Sequence, residues 1–301
     1  MSPLKKILAV LILVLIFTGF IKTFLPLPEK NLTEEAFFWN SKTFSPDAYN
    51  VVFGGDSRVY RGISVQTFND QLGDEFNTYN FGYSSAGFNK FYLDFLENKI
   101  DQSAEKRVII LGISPHSLTP EAAKNEALNE YLKTSGFDRF EILYLGNYLK
   151  FFAPYKMSEL FLSEEVSVEY KESFESGGWV KSDKFPADST EALNSYREVF
   201  DGNRVNDTLV SYLHQQVEKW TGNGIRVFGF RPPVTKAMKN LEDSISGFSE
   251  TEIKLNFEKA GGTWIDFNDA DYISYDGSHL TSESAIKFSA DLGKKVKSFL
   301  K

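Results

Sequence analysis

At 301 residues and a net charge of −8, the chain lacks the basic excess of a general nucleic-acid binder. It has no cysteine, which excludes disulfides, cysteine metal sites and a thiol nucleophile. Hydrophobic residues make up 42% and aromatic residues 15%, enough to bury a core, and the length suits one large domain or one domain with an insert.

The N-terminus carries the compartment signal. Lys5-Lys6 precede an apolar run from Ile7 to Ile21, Lys22 interrupts it, and Phe24-Leu25 extend it. Lys22 can snorkel, and no small-residue A-x-A-like site follows. This predicts an uncleaved signal anchor over residues 1–25, a single transmembrane helix in the inner (cytoplasmic) membrane. Lys5-Lys6 would be cytoplasmic and the rest of the chain extracytoplasmic or periplasmic. The alternative is a cleaved signal peptide. Residues 26–48, with Pro26, Pro28 and Pro46 and mixed charge, read as a linker.

From residue 49 to 301 the pattern alternates. Strands are expected at Asn50 to Gly54, Phe76 to Phe81, Arg107 to Gly112, Gly224 to Phe230 and Thr263 to Phe267. Helices are expected at Ile63 to Leu72, with Ser64 as N-cap, and at Asn89 to Ile100, Asn206 to Thr221, Phe248 to Ala260 and Ser282 to Leu300. The third strand is apolar throughout, as a parallel strand buried on both faces should be. The alternation predicts an α/β fold, a three-layer α/β/α doubly wound parallel sheet of flavodoxin-like type, with ligands at the carboxyl ends of the strands. It stops over about 115–196. There Glu121 to Lys133, Arg139 to Phe152 and Lys156 to Leu162 look helical and Ser173 to Ala187 looks like loop. This reads as a helical insert, either a lid beside the site or an elaboration packing the sheet edge.

The first strand breaks into Gly54-Gly55-Asp56-Ser57, a strand–glycine turn–helix pattern that lifts Ser57 above the sheet edge. A serine needs a base. Tyr275-Asp276-Gly277-Ser278-His279, ahead of the last helix, supplies one: His279 would take the Ser57 proton and Asp276 would orient the imidazole. Asp56 is read as structural, bonding turn N–H groups. The bland alternative is an ordinary turn and a helix-capping histidine. Arg58, Arg61 and Arg231 fall near strand ends and either bind a carboxylate or phosphate of a substrate or pair with acidic neighbours. His116 is a further candidate substrate contact by strand order. There is no metal-ligand cluster, P-loop or dinucleotide fingerprint, so no metal and no cofactor is expected.

These motifs resemble the SGNH (GDSL-type) hydrolase and acyltransferase superfamily. Gly55-Asp56-Ser57 matches the first block, with Arg58 where many members have Leu. Asn80-Phe81-Gly82 matches the second, whose glycine helps form the oxyanion hole, and Asp276-x-x-His279 matches the last. The third block, Gly-x-Asn-Asp, is replaced by Gly112-Ile113-Ser114-Pro115, so Ser114 stands where the asparagine donor would be. The resemblance covers roughly Asn50 to Leu300 outside the insert and implies an SGNH-type domain over 49–301. Its implied triad is Ser57, His279 and Asp276, with an oxyanion hole from Ser57, Gly82 and Ser114. The likeness in plan to anchored members implies an esterase or O-acyltransferase acting on an acylated envelope or exported polysaccharide, with a membrane-embedded acyltransferase as partner. A plain carboxylesterase or lipase is the other enzyme option. The non-enzyme alternative is an inactive SGNH-like domain that binds glycan or scaffolds an export complex.

Overall fold

The computed structural model describes residues 2–22, 32–46, 48–145 and 169–300. The chain divides into two compact units, Met1–Phe44 with Lys133–Ser167, and Ser45–Leu132 with Val168–Lys301.

The second unit is built on a five-stranded sheet of β1 (Val51–Gly55), β2 (Thr78–Asn80), β3 (Val108–Gly112), β6 (Arg226–Phe230) and β7 (Thr263–Trp264), in the order β2-β1-β3-β6-β7. Every neighbouring pair is parallel, with Phe53 opposite Ile110 and Ile110 opposite Phe228. All residues of β1 and β3 are buried, as expected for central strands covered on both faces. Successive side chains alternate between those faces. Val51 and Phe53 join Val108, Ile110, Phe228 and Phe230 in a core closed by Phe68 of α4 (Val65–Leu72) and by Phe288 and Leu292 of α12 (Ser282–Leu300). On the other face Gly54 lies under Leu96 of α5 (Lys90–Glu97), and Gly229 under Phe257 of α11 (Glu250–Lys259).

The expected helices keep close to their sequence boundaries because polar caps set them. Ser64, Asn89, Asn206 and Ser249 each accept a backbone N–H of the first turn that follows. The helix capped by Asn206 is α9 (Asp207–Gly222). Three more helices were not expected: α3 (Ser57–Gly62), α8 (Thr190–Val199) and α10 (Lys236–Ile245).

The region read as one insert over about 115–196 divides. Residues 115–132, which include α6 (Glu126–Leu132), and 168–196 belong to the unit of the sheet, whereas 133–167 belong to the other. The expected loop at Ser173 to Ala187 is instead half of a β-hairpin, β4 (Glu169–Phe174) antiparallel to β5 (Val180–Phe185). Its turn passes through Gly177 and Gly178, at φ of 74° and 86°. Trp179 closes it, its indole N–H donating to the Arg61 carbonyl at 2.8 Å. The expected helix at Lys156 to Leu162 lies outside the described residues, as does the end of the one at Arg139 to Phe152.

The first unit contains α1 (Pro3–Lys22), α2 (Leu32–Thr43) and α7 (Gly136–Phe140), the last continuing into one wide turn over Glu141–Leu145. α2 occupies most of the span read as linker. Its Glu34 and Glu35 favour the positive helix N-terminus, and Lys42 is buried near the Phe38 and Trp39 rings. The apolar run of α1 between Lys6 and Lys22 is fifteen residues, roughly 22 Å against a hydrocarbon core of about 30 Å. Among the described residues no helix is long and apolar enough to cross a membrane.

Candidate active site

β1 ends in a glycine step that only a side chain-free residue permits. Gly55 has φ of 150°, and a Cβ there would meet Val59 Cγ2 at 2.3 Å and the Gly112 carbonyl at 2.8 Å. The chain therefore turns immediately into α3, with Val59 seated against the sheet. Asp56 caps the helix, its Oδ1 accepting the Arg58 N–H at 2.9 Å. Ser57 is then the first helical residue, half-exposed, with an N–H that has no intrahelical partner. Tyr92 braces the turn from below: its buried hydroxyl accepts from the Gly55 N–H at 2.8 Å and donates to the Phe81 carbonyl at 2.8 Å.

His279 reaches this turn from the other end of the chain. Its Nε2 lies 2.8 Å from Ser57 Oγ, and its Nδ1 lies 2.7 Å from Asp276 Oδ2. The spacing works because Gly277, at φ of 92°, lets Asp276 fold back on the two residues that follow. Asp276 Oδ1 accepts the Ser278 N–H at 2.8 Å and the His279 N–H at 2.7 Å. Burial opposes the Asp276 charge, but the His279 ring and these backbone donors outweigh it and hold the carboxyl at about 2. An ionised Asp276 keeps the imidazole proton on Nδ1, leaving Nε2 to accept the Ser57 hydroxyl. Tyr275 stacks on the imidazole, ring centres 5.9 Å apart and planes 21° apart. The hairpin holds Tyr275 in turn, with Ser182 Oγ 3.2 Å from its hydroxyl.

The other two assigned oxyanion donors, Ser114 and Gly82, are hydrogen-bonded inside the protein. The Ser114 side chain is fully buried and its hydroxyl donates to Asp56 Oδ2 at 2.5 Å. It also accepts the Ser117 N–H at 3.1 Å, which closes the turn after β3. The Gly82 N–H is bonded to Asn80 Oδ1 at 3.0 Å, while the Asn80 amide donates to the Val59 carbonyl at 2.9 Å. Both groups thus brace the nucleophile turn. Of the three assigned donors, the Ser57 N–H alone is left for an oxyanion.

The three candidate anion-binding arginines are also paired with acidic neighbours. Arg58 Nη2 pairs with Glu242 Oε1 at 2.7 Å, and Arg231 Nη2 pairs with Glu242 Oε2 at 3.1 Å. Arg231 further pairs with Asp243 at 2.8 Å and Glu250 at 3.0 Å. Burial works against the Arg58 charge, but Glu242, Tyr196 and Asp56 more than offset it and raise its pKa. Neither guanidinium faces solvent. Arg61 is held by Glu172 of β4 at 2.7 Å and by the Tyr170 hydroxyl. Sequence reasoning missed Glu242 because it sits on an unexpected helix, and missed Tyr196 and Tyr92 because a tyrosine in a helix reads as core.

His116 lines a cavity of about 290 Å³ with Ser84, Ser85, Glu121 and Glu126, from the stretches that follow β2 and β3, the two strands flanking β1. Burial pushes its imidazole below the ordinary pKa, against the pull of Asp56. Among the described residues no group of acidic, histidine or cysteine side chains is gathered to hold a metal ion.

No family model matches the chain, and no curated protein matches it. The solved structures it is similar to include one described as that of a candidate platelet activating factor from Streptococcus pneumonia. It is 14% identical, with 90% of this chain and 94% of that chain covered, at a TM-score of 0.38. A likeness of that size carries no argument about activity.

Proposed function

We propose that the chain is a serine-dependent ester hydrolase or O-acyltransferase of SGNH type. The observation that carries this reading is the unbroken relay from Ser57 Oγ through His279 to Asp276, at 2.8 Å and 2.7 Å. In that mechanism His279 Nε2 takes the Ser57 proton as Oγ attacks an ester carbonyl, and Asp276 stabilises the imidazolium. His279 then protonates the leaving alcohol. Water resolves the acyl-enzyme in a hydrolase, and a second alcohol resolves it in a transferase. The likeness in plan to anchored SGNH proteins points to an acylated envelope or exported polysaccharide as substrate and to a membrane-embedded acyltransferase as partner. The apolar run behind Lys5-Lys6 supports holding the domain at the extracytoplasmic face of the inner membrane.

A second reading has its own support. The Ser114 hydroxyl and the Gly82 N–H are both committed inside the protein, and loss of one oxyanion donor costs about a hundred- to a thousandfold. A weakly active or inactive domain that binds glycan or scaffolds a complex fits that observation. A fluorophosphonate probe separates the two. Labelling of the wild-type chain that disappears in Ser57→Ala is expected for the enzyme. Absence of labelling, with no turnover of short-chain aryl esters, would establish the scaffold reading instead.

A further inference from the structure

Arg58 stands beside the nucleophile, yet it neither faces solvent nor touches Ser57. Its Nε donates to Ser278 Oγ at 2.9 Å, and Ser278 immediately precedes His279 in the chain. Ser278 is also held by the Tyr196 hydroxyl at 3.0 Å, and its N–H is bonded to Asp276. Glu242 takes the other side of the guanidinium, and the Tyr196 ring lies 5.1 Å from Cζ.

Stability does not account for this arginine. A buried ion pair is often no better than apolar side chains of the same volume. Arg58 Nη1 also finds no acceptor among the described residues, which is costly for a buried polar group. Leucine, which stands here in many of the proteins the motif resembles, would incur neither.

What the arginine supplies is a brace. We propose that Arg58 is a positioning residue, tying the start of α3, and so Ser57, to the loop that carries Asp276 and His279, with Glu242 aiming it at Ser278. This rests on Ser57 acting as the nucleophile. Its two attachment points lie 220 positions apart in the chain, so no local turn could set their spacing. Removing the brace loosens the approach of Nε2 to Oγ. A misplacement of about 1 Å in such a contact is worth on the order of a hundredfold in rate. Glu242 keeps Arg231 as a partner when Arg58 is lost.

The test uses the full chain with a fluorophosphonate probe and p-nitrophenyl acetate. Ser278→Ala removes the acceptor and leaves the ion pair intact. Arg58→Leu removes the brace, and Arg58→Lys keeps a charge for Glu242 without the planar fork. All three are expected to lower kcat about 10- to 100-fold with KM changed less than about twofold. The downfield proton resonance of His279 Nδ1 should weaken, and kcat is read at a temperature where circular dichroism shows each variant folded, because Ser278→Ala also leaves the buried Arg58 Nε without its acceptor. Retention of wild-type kcat by both Ser278→Ala and Arg58→Leu overturns the proposal. Should Arg58→Leu fail to fold, Ser278→Ala alone decides. The reading beneath it fails separately, when Ser57→Ala still turns over the ester or the wild-type chain takes no label.

Discussion

At the scale of single residues, Asp276 makes the sharpest claim. Its carboxyl is held at about 2 against an ordinary 3.8, so the folded protein binds its proton more weakly than the unfolded chain. The resulting stabilisation is fully present above about pH 4 and is lost as pH falls through about 2, and it amounts to about 2 kcal/mol. Urea unfolding of wild type and Asp276→Asn at pH 6 and pH 2 should differ by about that much at the higher pH and converge at the lower. Ser114 behaves differently from its motif position. Ser114→Ala leaves a buried Asp56 oxygen short of a donor and should cost about 1–3 kcal/mol in stability. Ser114→Asn adds atoms to a fully buried site and should destabilise, measured by denaturant midpoint, rather than raise activity. The meeting of Ser57, Asp276 and His279 was legible because each sits in a short motif after a strand. The commitments of Ser114, Gly82, Arg58 and Arg231 were not. They depend on where Asp56, Asn80 and Glu242 aim their oxygens, and Glu242 is 184 positions from Arg58.

At the scale of elements, the hairpin of β4 and β5 shows what local pattern misses. Its strands are charged and short, and a two-stranded hairpin alone is marginal in water. It stands because the unit of the sheet pins it at Trp179, at Glu172 with Arg61, and at Asp183, which accepts the Ser282 N–H at the start of α12. Trp179→Ala should therefore release it locally, at a cost of roughly 3 kcal/mol. Limited proteolysis is expected to cut within 169–185 at temperatures where the sheet is intact. α10 was also missed. Met238, Leu241 and Ile245 do recur there at helical spacing, but that spacing does not reveal that Glu242 is buried beside them.

At the scale of the whole molecule, the parallel sheet was readable because five apolar runs separated by helical patterns leave few topologies. Within residues 133–167 the helices expected at Arg139 to Phe152 and Lys156 to Leu162 lie in part or wholly outside the described residues. The anchoring reading predicts that the full chain sediments with membranes and resists carbonate extraction. Deletion of residues 1–30 should release it to the soluble fraction. Equal solubility of the two forms would remove the membrane from its description.

Ser57 and His279 lie 222 positions apart, near opposite ends of the chain of the sheet unit. On a ribosome adding about 5–20 residues per second, the serine is made roughly 10–45 s before its base. Throughout that interval the hydroxyl is an ordinary alcohol, because a serine without a base is a poor nucleophile. On the proposed mechanism, chemistry waits until the last loop and α12 have docked. A nascent or incompletely threaded chain carries an unarmed serine, and the onset of probe labelling during synthesis would time the arrival of the C-terminus.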